Sequence, residues 1–151
     1  MSENTKPNVG ALFWIVGIVA ALWYAFGAFQ FVGSLMATPE GMAKYVTDGI
    51  MTQDYADFLL ALPVWVKAVF GIATVGGLLA SICLLAHKAF AAKLFMVSLI
   101  AALLMYVYMF VLSGKADILP AFDYIIAAIV IVVTCFMIWW SRRQSALGRL
   151  S

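Results

Sequence analysis

Charge is what this chain has least of. Nine basic and seven acidic residues make up 11% of its 151 positions, where a soluble domain carries about a quarter. A net charge of +2 with no basic stripe excludes a nucleic-acid-binding surface. Histidine is almost absent, His87 being the single one, and there are two cysteines, Cys83 and Cys135. Both cysteines lie inside apolar runs rather than in polar loops, which excludes a secreted disulfide framework. Core packing as small hydrophobes accounts for them. A redox pair is the alternative, since both fall towards the same end of their segments. No metal spacing, no Ser/His/Asp set and no glycine-rich phosphate loop after a strand is present, so neither a catalytic set nor a cofactor is expected.

What is abundant is apolar sequence, at 66% of residues and a mean hydropathy of +1.07. It falls into runs of about the 20 residues needed to cross a hydrocarbon core. Four spanning helices are expected, over about 11–36, 62–86, 90–112 and 120–140. The first run is too long for a signal-peptide core and lacks a small-x-small cleavage site, so it reads as a retained span. Met1 to Gly10 reads as a polar tail, and Arg142, Arg143 and Arg149 mark a second. Pro63 and Pro120 suit the first turns of the second and fourth spans.

The long polar connection, 38–61, is different in kind. Thr38-Pro39-Glu40 reads as an N-cap, a proline at N1 and an acid in the first turn; Thr52-Gln53-Asp54 starts a second helix similarly. Met42, Tyr45, Val46 and Ile50 share one face of the first, and Tyr55, Phe58, Leu59 and Leu62 one face of the second. Neither is long enough to span. Both fit amphipathic helices on the membrane surface or capping a bundle. The fold class is therefore all-α, an integral-membrane four-helix bundle of one domain.

With four crossings, both tails and the His87–Lys93 turn share one side. That side carries Lys6, Lys88, Lys93, Arg142, Arg143 and Arg149 against Glu3 alone. The other side has Lys44, Lys67 and Lys115 with Glu40, Asp48, Asp54, Asp57, Asp117 and Asp123. The basic excess puts both termini in the cytoplasm and the 38–61 segment outside. Trp14, Trp139 and Trp140 then fall at the inner interface and Trp65 at the outer, while Trp23 sits mid-membrane and should want a partner for its N–H.

Two sets of residues are candidates for a role. Gly71, Ala73, Gly76, Gly77, Ala80 and Ser81 form small-xxx-small pairs, the pattern that lets helices approach in lipid. They serve packing within one bundle or between copies. Gln30, Lys67, Tyr106 and Asp123 fall at similar depth near the outer side, one on each span. An ionisable group costs about 2.5–3.5 kcal/mol at a span's centre and less near its end. Lys67 can snorkel to the headgroups. Asp123 is too short to reach as far, so a Lys67–Asp123 pair at the base of an outward-facing cavity is the sharper expectation. Lys67, Gly71, Thr74 and Ser81 also share a face that could line a shallow path, although mid-membrane hydroxyls commonly bond back to their own helix.

Ala21-Leu22-Trp23-Tyr24-Ala25-Phe26-Gly27-Ala28-Phe29-Gln30 resembles the first-helix signature of a group of small bacterial four-helix inner-membrane proteins that often carry a sugar-transporter label. Leu62-Pro63-Val64-Trp65-Val66, Ala68-Val69-Phe70 with Gly76-Gly77, Ser98-Leu99-Ile100 and Trp139-Trp140-Ser141-Arg142 are similar to the same group, across nearly the whole chain. Its usual Trp-Asn is Trp23-Tyr24 here, which removes a mid-membrane amide. In shape the bundle also resembles DoxX-type proteins. These features together imply a non-enzymatic protein of the bacterial inner membrane, working with lipids and with other membrane subunits or its own copies; a small oligomeric transporter or channel is the alternative.

Overall fold

Thr38 and Thr52 start helices as their neighbours predict. In the computed structural model, which describes residues 9–151, Thr38 Oγ1 accepts the Gly41 N–H at 3.1 Å and Thr52 Oγ1 the Tyr55 N–H at 3.3 Å. These caps open α2 (Pro39–Thr47) and α3 (Gln53–Leu60). The long helices are α1 (Ala11–Leu35), α4 (Val64–Leu85), α5 (Ala91–Val107) and α6 (Ala121–Ala146). Glu3 and Lys6, counted above with one tail, lie outside the described residues.

Four helical stretches are long and apolar enough to cross a membrane: α1, α4, α5 with its extension to Leu112, and α6. They pack in chain order, α1 on α4, α4 on α5 and α5 on α6. Most of their apolar side chains point outward, as helices apolar all round do in lipid. The interior is built from Phe13, Ala20, Tyr24, Ala80, Leu84, Phe95 and Met137.

Three boundaries differ from the sequence reading. Pro63 and Pro120 sit at N-cap positions with extended backbone, φ −57° and −64°, rather than inside the first turn. A proline lacks the N–H at either place, so its chemistry does not separate the two. The third span is not uniform: after Val107 it widens into a π-helical turn, Tyr108–Leu112, where the Ser113 N–H reaches back to the Tyr108 carbonyl at 2.8 Å. A short 3-10 turn, Ala116–Ile118, leads into α6.

The last arginines are not a loose tail. α6 continues through Arg142 and Arg143 to Ala146, and Gly148 then turns the chain at φ +70°. Leu150 tucks into the core, Arg149 Nη1 donates to the buried Gln144 at 2.9 Å, and Ser151 exchanges two backbone bonds with the α4–α5 turn. In that turn His87 has φ +59°, a left-handed conformation that strains a side chain. Its ring stacks on Phe13 at 5.0 Å and its carbonyl accepts the Ser151 N–H at 2.7 Å, contacts that hold it there.

Candidate functional site

The sequence places Asp123 one turn into the fourth span; the structure supplies its partner from an unexpected element. Tyr55, on the apolar face of α3, donates its hydroxyl to Asp123 Oδ2 at 2.6 Å. The expected Lys67–Asp123 pair is therefore corrected: the carboxylate is held by a phenol, and Lys67 is half-buried near the start of α4. The phenol wins on placement, because α3 folds over the ends of α5 and α6 and packs Phe58 against Met109 and Leu119. Around this latch runs an aromatic layer. Tyr106 stacks on Phe110 at 5.6 Å, Phe110 on Tyr124 at 4.3 Å, and Trp65 meets Tyr108 edge-on at 5.2 Å. Gln30 stands exposed on α1, where its amide faces the surroundings.

Burial, then the Asp123 carboxylate it faces, pushes the Tyr55 phenol above the ordinary value of 10.0. A raised folded-state value means that the latch's contribution is complete below pH 10.0 and is lost as pH climbs through the raised value. Phenolate absorbance of wild type and Tyr55→Phe is accordingly expected to coincide through neutral and mildly alkaline pH. Curves separating below pH 10 would show that Tyr55 is not held as described.

The second polar cluster lies at mid-bundle and centres on Tyr24. Thr134 Oγ1 donates to the Val130 carbonyl at 2.7 Å, which uses its one proton. The Tyr24 hydroxyl therefore donates to Thr134 Oγ1, also at 2.7 Å, and joins α1 to α6. Ser98 on α5 donates to the Ala73 carbonyl of α4 at 2.6 Å, tying that pair together. Tyr24 also packs on Phe95 at 5.8 Å. By its sequence alone this tyrosine stands for the loss of an amide. It is a gain, because a phenol reaches a hydroxyl on another helix.

The small residues of α4 make room for that arrangement. Gly71, Ala73, Gly77, Ala80 and Ser81 are buried and Gly76 half-buried. A methyl added to Gly77 would run into the Tyr24 ring, and one on Gly71 would come within 2.6 Å of Phe31. The stripe is filled by this chain's own helices. The face through Lys67, Gly71, Thr74 and Ser81 closes in the same way: Thr74 donates back to the Phe70 carbonyl at 3.0 Å and Ser81 to that of Gly77 at 2.9 Å. Trp23 is half-buried against the main core.

Other reactive groups stand apart. Cys83 is a half-buried free thiol and Cys135 an exposed one. Among the described residues no three His, Cys, Asp or Glu side chains gather as a metal ion would need. Asp54, Asp57, Lys115 and Asp117 border a shallow hollow of about 350 Å³ beside the latch. Compared with family models, with curated proteins and with solved structures, the chain finds no match.

Proposed function

We propose that this chain is a non-enzymatic protein of the bacterial inner membrane, an accessory subunit of a larger membrane complex or a self-associating bundle. Both termini lie in the cytoplasm, α2 and α3 lie on the outer face, and Lys67 snorkels to the outer headgroups. The basic excess around the tails and the α4–α5 turn supports this orientation. The location is proposed from the reading of residues 21–30 as resembling the first helix of small bacterial four-helix proteins.

The observation that carries the reading is the state of the hydroxyls within the spans. Tyr24, Thr74, Ser81, Ser98 and Thr134 each donate to a group inside the bundle, while Ser141 Oγ and Trp140 Nε1, towards the other end of α6, are buried without a partner. A substrate path needs polar groups turned towards a lumen, and internal bonds occupy these five hydroxyls. What remains for function is the outside of the bundle and the α2–α3 layer. α2 buries none of its residues fully and rests on α3, with Met42 and Val46 half-buried and Tyr45 left to lipid or another protein. The hollow bordered by Asp54, Asp57, Lys115 and Asp117 favours the second reading, an oligomeric transporter with an outward-facing polar cavity.

Gentle detergent extraction followed by native mass measurement separates these. The expected result is release in a complex with larger membrane proteins or with further copies of itself. A bare monomer at every detergent concentration would overturn both readings.

A further inference from the structure

The two edge helices, α1 and α6, approach each other less closely than the other neighbours. Between them Ile15, Val16, Val19, Val133, Phe136 and Met137 line a groove of about 280 Å³, open to the side. About one turn beyond Ala20, at mid-bundle, Tyr24 reaches across to Thr134. At the opposite end of the groove stands an aromatic ladder leading to a cation. Phe136 packs on Trp139 at 5.8 Å, and the Arg143 guanidinium lies over the Trp139 ring at 5.3 Å. The neighbouring Arg142 is turned away, donating to Met96 on α5 at 3.3 Å.

We propose that this groove holds one acyl chain of an anionic phospholipid, with the phosphate on Arg143. Two features select that occupant. At 1.5 Å per residue, Thr134 and Arg143 are about 13.5 Å apart along α6, close to the roughly 15 Å depth of one leaflet. With the guanidinium at headgroup level, the Tyr24–Thr134 bond would lie near the bilayer centre. Finally, arginine's fork pairs with phosphate, and the anionic lipid's extra charge is attracted by the Arg143 guanidinium, which among the described residues packs on an aromatic ring rather than on an acid. The assignment does not rest on the accessory-subunit reading.

The experiment is native mass measurement of the purified full chain with added phosphatidylglycerol or phosphatidylcholine of identical acyl chains. Wild type is expected to retain phosphatidylglycerol about fivefold more than phosphatidylcholine. Arg143→Gln should abolish that preference, and Arg142→Gln should keep it. Val19→Trp fills the groove from an exposed position and should lower retention of both lipids; Ile15→Trp, also exposed, provides the same test should the first variant not fold. Equal retention of the two lipids by wild type overturns the proposal. So do equal losses from the two arginine variants, which would mean general surface charge, and full retention by the tryptophan variants. Circular dichroism confirms that each variant compared is helical.

Discussion

Gly77→Leu is expected to force α1 away from α4 and cost about 3 kcal/mol, the upper end of what overpacking a filled core costs. The added carbons have nowhere to go, because the Tyr24 ring already occupies the space above Gly77. The ring cannot yield cheaply, since its hydroxyl is bonded to Thr134 and its face packs on Phe95. The apparent Tm in mild detergent should fall by about 10 °C. Gly76 provides the contrast. A methyl there would meet only Ser98 Cβ, at 3.9 Å, so Gly76→Ala should stay near wild type while Gly77→Ala does not. Adding Tyr24→Ala to Gly77→Leu should recover part of the loss, and a double-mutant cycle reads that coupling directly. Additive losses would mean that the ring is not what Gly77 accommodates.

Separating Tyr55 from Asp123 should have the next largest effect. A hydrogen bond to a charged group is worth about 1.5–3 kcal/mol, and the partial exposure of both residues brings the expectation here to about 1–2 kcal/mol. Tyr55→Phe leaves the carboxylate without its donor; Asp123→Leu leaves the phenol without its acceptor. Asp123→Asn should be milder than either, because the amide oxygen still accepts. The readout is local, since α3 is held by this bond and by the Phe58 cluster. Amide exchange should quicken in Gln53–Leu60 while Ala91–Val107 keeps its protection. If exchange in α3 is unchanged by both substitutions, the latch holds nothing in place.

The spans were legible because each is a long apolar run bounded by turn residues, and nothing in tertiary packing competes with that signal. The short helices were legible from Thr38 and Thr52, whose hydroxyls act within three residues. Partnerships were not. Tyr55 read as one more apolar residue of an amphipathic stripe, although its ring serves the stripe and its hydroxyl serves Asp123, 68 positions away. Lys67 looked the natural partner because charge is visible in a sequence and the folding-over of α3 is not. Tyr24 was similarly misjudged: a phenol on one helix and a threonine on another signal nothing until crossing angles bring them to 2.7 Å. The groove between α1 and α6 depends on those same angles.

The π-helical turn at Tyr108–Leu112 has one more consequence. Its wider ring holds a residue beyond what an ordinary turn needs. Removing a single amino acid there lets the coil tighten to the regular pitch, so a length change is absorbed at the rim. The buried register of Ala91, Phe95, Ser98 and Ala102 below it stays where it was.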